Sequence, residues 1–146
     1  MKIRAVTAQD RAAWDRLYQG YAEFYKVEQT AGMRDRVFGW LMDPDHTSNG
    51  FVAEAPSGAL IGLTHYRPYV SMLGANVSAF LDDLFVDPAA RGSGTAQALI
   101  DAVADVARAN GWAKVRWITA DDNYRGRGVY DKLAKRTMWI TYDMQL

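Results

Sequence analysis

The chain has 146 residues, the size of one ordinary domain, with 49% apolar and 23% charged residues, a composition that can bury a core of its own and argues against disorder. It has no cysteine and two histidines, His46 and His65, which excludes disulfides, thiol nucleophiles and cysteine-ligated metal sites and leaves little for a histidine metal site or a Ser-His-Asp triad. Seventeen basic residues balance seventeen acidic ones, so no global charge draws the chain to nucleic acid or an anionic membrane.

In chain order, Lys2-Ile3-Arg4-Ala5-Val6 alternates polar and apolar as a half-buried strand does. Its flank, MKIRAVTAQD, lacks the apolar stretch of a secretion signal, and no apolar run approaches the roughly 18–20 residues that span a bilayer, so the expected location is the cytoplasm. Thr7 followed by Asp10 reads as a helix start, and Trp14, Leu17, Tyr18, Tyr21 and Tyr25 then recur at helical spacing. A second helix is expected over Arg34 to Met42, ending at Asp43-Pro44 because the residue before proline avoids the helical region. Gly50 to Ala55 and Ala59 to Tyr69 flank Pro56-Ser57-Gly58 and read as a hairpin, and Asn76 to Val86 as a further strand. A helix from about Gly94 to Asn110 carries Ala96, Leu99, Ile100, Val103, Val106 and Ala107 on one stripe. Lys114 to Thr119 is a short β-rich run, Arg125 to Ala134 a last helix, and Met138 to Met144 a closing strand. The order β-α-α-β-β-β-α-β-α-β defines a single domain of the α+β or mixed α/β class.

The most informative stretch runs from Asp82 through Asp87-Pro88 to Arg91-Gly92-Ser93-Gly94-Thr95-Ala96. A strand ends, and two glycines open a long helix. Free N–H groups at a helix start, aided by the macrodipole, bind anions, and glycine lets the backbone come close to a phosphate. Arg91 adds a positive charge. A Walker loop is ruled out, since no Gly-Lys-Ser/Thr occurs. A Rossmann fingerprint fails as well: Gln97 stands where its last Gly or Ala belongs, and four strands precede the turn. The spacing alone fits a phosphate cradle or a tight turn.

These residues resemble the GNAT N-acetyltransferase superfamily, whose acetyl-CoA motif reads Gln/Arg-x-x-Gly-x-Gly/Ala; Arg91-Gly92-Ser93-Gly94-Thr95-Ala96 fits it. A second family block matches at Asn123, Gly126, Tyr130 and Leu133. After Leu133 the usual Leu-Gly-Phe gives way to Leu133-Ala134-Lys135-Arg136-Thr137, which leaves the acceptor end open. The resemblance implies a twisted, mostly antiparallel sheet splayed after the fourth strand and flanked by about four helices. It implies acetyl-CoA as cosubstrate, with pantetheine along Leu84, Phe85 and Val86 and the pyrophosphate on Gly92 through Ala96. It also implies direct transfer of acetyl to the primary amine of a small molecule such as a polyamine or amino acid, within a ternary complex.

An attacking amine must be neutral, so a carboxylate is wanted as proton acceptor, and the departing thiolate leaves more easily with a proton donor. The resemblance assigns Tyr130 as the general acid; a packed helix tyrosine is the plain alternative. Asp82 is taken as the base, with Asp83 as runner-up and a solvated carboxylate pair as the alternative for both. Simple alternation sends the two to opposite faces unless a bulge intervenes. Asn123 is expected to hold backbone or cofactor near the splay, or to cap a helix. Lys132, Arg125 and Arg127 either meet the CoA phosphates or stand as solvated helix residues. The aromatic first helix, with Glu23 and Glu28, suits a cationic amine, with core packing as the plain alternative for Trp14, Leu17 and Tyr21. His46 and His65 find no partner in the pattern and read as structural or solvated. Trp139-Ile140-Thr141-Tyr142 suggests an exposed edge able to pair two copies into a homodimer. A non-catalytic CoA-binding sensor and a ligand-free partner-binding domain are the alternatives to an enzyme.

Overall fold

The computed structural model describes residues 1–146. Strand β1 (Lys2–Ala5) leads through a 3-10 turn to helices α1 (Arg11–Phe24) and α2 (Ala31–Met42). Strands β2 (Asn49–Glu54), β3 (Leu60–Ser71) and β4 (Asn76–Val86) follow, then α3 (Thr95–Ala109), a short β5 (Val115–Arg116) and α4 (Tyr124–Leu133). The five strands lie in sequence order; β1 to β4 are antiparallel and β5 runs parallel to β4. This is the expected α+β GNAT-like fold.

Each face of the sheet carries its own apolar cluster. Trp14, Leu17 and Tyr18 of α1 and Phe38 of α2 pack on Val52, Leu60, Leu63 and Phe85. On the other face Ile100, Val103 and Ala107 of α3 pack on Tyr66, Ala79 and Leu81, with Leu84, Trp117, Tyr130 and Leu133 at the margin. The stripe read from the α3 sequence is the stripe it buries. Truncating a fully buried residue such as Leu63 or Leu99 removes contacts that the packed surroundings cannot replace, at a cost of about 2–5 kcal/mol.

Two features of β4 position the site. First, β5 pairs with it only at Ala79 and Phe80, so from Leu81 onward β4 has no strand on that side and the sheet is splayed. Second, the register with β3 jumps from His65–Asp83 to Tyr66–Leu81. Asp82 is the extra residue of a β-bulge. Leu81 and Leu84, three apart, both pack toward α3, while Phe85 packs toward α1. Strict alternation forbids this, and the inserted residue permits it. Asp82 and Asp83 therefore lie together between two residues of the α3 face.

Two expected strands depart from the structure. Lys114 to Thr119 yields only the two-residue β5. The closing strand at Met138 to Met144 is absent: residues 135–146 hold no regular structure, and Met138, Trp139 and Tyr142 are 95%, 78% and 86% exposed. A strand exists only where a partner takes its backbone hydrogen bonds, and the chain's own sheet offers this segment none.

Candidate active site

The splay opens a cleft of about 680 Å³ lined by Leu84, Phe85 and Val86 of β4, by Ala90 to Gly92, Gly94 to Gln97, Asn123, Tyr130 and the end of α1 at Phe24 and Tyr25. Gly92 and Gly94 have φ of 83° and 80°, the left-handed region that L side chains avoid. Gly94 is the N-cap of α3 and supplies no side-chain cap. The first amide of this helix to find a carbonyl is Ala98, on Gly94 at 3.0 Å. From Gly92 to Gln97 no backbone N–H meets an acceptor within the protein. Consecutive free donors at the positive end of a 15-residue helix form an anion cradle suited to a pyrophosphate. Arg125 and Lys132 line the same cleft, as does Arg91, whose guanidinium lies 5.2 Å from the Phe24 ring centre. Ser93 is folded away: its hydroxyl donates to the Ala90 carbonyl at 2.6 Å and lies 2.7 Å from Thr95 Oγ1. Arg127 is turned to the loop, donating to the Asp121 carbonyl at 2.6 Å.

Asn123 caps a helix, one of its two sequence readings. Its Oδ1 accepts from the Gly126 amide at 3.2 Å, capping α4, and its Nδ2 donates to Thr119 Oγ1 at 2.9 Å and to the Tyr25 hydroxyl at 3.2 Å. A Cβ on Gly126 would stand 2.6 Å from Nδ2, which explains the small residue three places on. Tyr130 lies edge-on to Trp117, with centroids 5.5 Å apart, and also borders the cleft. Burial, with Tyr25 adding, pushes its phenol up to about 12, so it holds its proton at neutral pH.

Neither Asp82 nor Asp83 borders the cleft itself. Asp82 pairs with Arg67 Nε at 3.2 Å and keeps 34% of its side chain exposed. Shielding by its surroundings, with the Asp83 charge adding, raises its carboxyl above the ordinary aspartate value against the pull of Arg67. Asp83 is 16% exposed and accepts from Tyr18 and His65. Burial alone would raise it; the hydrogen bonds from His65, Tyr18 and Tyr21 outweigh burial and lower it. His65 thus has a partner after all, contrary to the sequence expectation: it is buried, with Asp83 on one ring nitrogen and Trp14 on the other. His46 stacks on Trp40, with ring centres 5.2 Å apart. Glu23 lies on a neighbouring hollow with Arg16, Asp87 and Arg91, and Glu28 is exposed. The signal that could have found Tyr25 in the cleft was its place in the α1 aromatic row, one turn beyond Tyr21.

Residues 14–134 match the model of the Acetyltransferase (GNAT) family, and the chain belongs to that family. It is an N-acetyltransferase that uses acetyl-CoA. The D-amino-acid N-acetyltransferase HPA3 of Saccharomyces cerevisiae is 28% identical over 141 residues, covering 96% of this chain and 88% of that one. The uncharacterized N-acetyltransferase YhfO of Bacillus subtilis is 30% identical over 132 residues, 90% of this chain and 87% of that one. Among solved structures, AAC(6')-Iy in complex with the bisubstrate analogue CoA-S-monomethyl-acetylneamine superposes with a TM-score of 0.85 at 20% identity, over 99% of this chain and 98% of that one. No helix is long and apolar enough to cross a membrane.

Proposed function

We propose that the protein transfers acetyl from acetyl-CoA to the primary amine of a small molecule, by direct attack while both are bound. The observation that carries this reading is the run of unpaired amides from Gly92 to Gln97 at the mouth of the splay. Gly92, Gly94, Thr95 and Ala96, with the Ser93 amide and Arg91, receive the pyrophosphate; the free edge of Leu84, Phe85 and Val86 takes the pantetheine. Asn123 holds the α4 start in place. Asp82 is the base, directly or through a water: its raised carboxyl is better matched to a proton from an amine than an ordinary aspartate. The amine nitrogen bonds to the acetyl carbon, the carbon–sulfur bond breaks, and the thiolate takes the Tyr130 phenolic proton. A small acceptor agrees with the D-amino-acid activity in the name of the yeast relative. The test is thiol release from acetyl-CoA with a panel of polyamines, amino acids and lysine peptides. Turnover with the small amines is expected. Acetyl-CoA binding without turnover of any amine would make the protein a sensor, and no binding by calorimetry would end the reading.

A homodimer accompanies this function. The apolar side chains of residues 138–146 alternate as in a strand yet lie in water, and the same sheet ends on a two-residue β5. A second copy satisfies both by receiving this segment, which removes the exposed apolar surface of each chain. Light scattering should give twice the monomer mass, and a chain ending at Ala134 should give one.

A further inference from the structure

A buried polar chain beside the cleft takes no part in the transfer described above. Trp14 Nε1 donates to His65 Nε2 at 2.9 Å. His65 Nδ1 meets Asp83 Oδ2 at 2.8 Å, and the Tyr18 hydroxyl donates to the same oxygen at 2.9 Å. An indole N–H can only donate. Nε2 must therefore accept, and the proton of a neutral ring sits on Nδ1, pointing at the carboxylate. The imidazole orients Asp83 without cancelling its charge. No Arg or Lys pairs with Asp83; its sole ion-pair contact is this histidine. A carboxylate so enclosed is costly without a counter-charge; Tyr18 and His65 both donate to Oδ2, and Tyr21 stands beside the same carboxylate.

The surroundings suit a cation. Tyr18 stacks on Tyr21 at 5.9 Å between centroids, and Tyr21 meets Tyr25 edge-on at 5.0 Å. Tyr18 and Tyr21 on α1, with Tyr25 just past its end, form a row of rings from Asp83 to the cofactor cleft, which Tyr25 lines. Ring faces beside a carboxylate attract ammonium groups.

We infer that Asp83 receives the acceptor's primary ammonium and that His65 is its positioning residue, acting through Oδ2. The inference rests on the acetyltransferase reading and divides labour across the bulge: Asp83 holds the ammonium, and Asp82 takes its proton. The opposite displacements of the two carboxyls, Asp83 down and Asp82 up, agree with that division.

The test is steady-state kinetics with acetyl-CoA and the panel of primary amines, alongside calorimetry of acetyl-CoA. His65→Leu should raise the amine KM about tenfold or more, as expected for losing a bond to a charged group, with acetyl-CoA affinity unchanged. His65→Asn, which keeps an N–H close to the Nδ1 position, should restore most of the loss. Trp14→Phe removes the donor that holds Nε2 as an acceptor and so keeps the Nδ1 proton aimed at Asp83, and the amine KM should rise in that variant as well, again with acetyl-CoA affinity unchanged. An amine KM indifferent to His65→Leu, equal losses in the Leu and Asn variants, or an amine KM unmoved by Trp14→Phe overturns the inference. Should His65→Leu fail to fold, the Asn and Trp14→Phe variants decide it. Native protein that binds acetyl-CoA but turns over no amine removes the underlying reading and this one with it; native turnover with unmoved variants removes this one alone.

Discussion

On one side of β4 the cleft is walled by main-chain nitrogens of consecutive residues, whereas on the other Asp83 is held by side chains from α1 and β3, far away in sequence. The first arrangement needs only a glycine-opened helix start and is set within a few residues. The second needs the whole sheet to fold first, because Trp14, His65 and Asp83 meet only when α1 packs across β3 and β4. The cofactor half should thus tolerate change in side chains but not in backbone, and the acceptor half the reverse.

The sharpest way to break this contrast is Tyr130→Phe, which leaves every backbone donor intact. It should lower kcat by about 10²–10⁴-fold, the usual worth of a proton donor, with acetyl-CoA affinity by calorimetry unchanged. Loss of affinity in step with rate would make Tyr130 a packing residue. Asp82→Asn comes next, with a fall in kcat of about a hundredfold or more. A base works only when deprotonated, and the Asp82 carboxyl is raised, so the native kcat/KM should climb with pH through a limb above the ordinary aspartate range. That limb should vanish in the Asn variant; a surviving limb assigns the base elsewhere. Gly94→Val tests the backbone side. A β-branched residue at φ 80° pays about 1–2 kcal/mol of strain and crowds the free amides, so acetyl-CoA should bind about tenfold or more weakly while the amine KM stays put. The smallest effect is expected from Asn123→Ala: loss of the α4 cap should cost about 1 kcal/mol, read as a Tm lower by about 4 °C.

The same contrast explains what could be read in advance. The α3 stripe and the loop before it were legible because period and glycines lie within one short segment. Leu84 to Val86, Gly92, Gly94, Asn123 and Tyr130, which line the cleft, could be named in advance only through the family resemblance that two local motifs carry. His65 was not legible, since its partners Trp14 and Asp83 stand 51 and 18 residues away. The arrangement of the two aspartates was half legible: alternation separates them, and only the register jump at His65 and Tyr66 brings them together. The closing strand failed for a related reason. Alternation at Met138, Ile140, Tyr142 and Met144 states a capacity to pair, and pairing also requires an edge.

The extra residue in β4 has a consequence for how this chain can vary. Asp82 has no opposite number on β3, so Leu81 and Leu84 share the α3 face and Asp83 and Phe85 the α1 face, with Asp82 looped out between them. Removing that one residue would set Asp83 next to Leu81 in ordinary alternation and leave every later side chain in the layer it already occupies. What would go is the local bend and the carboxylate that meets Arg67. The scaffold can spare position 82, and what keeps a residue there is chemistry.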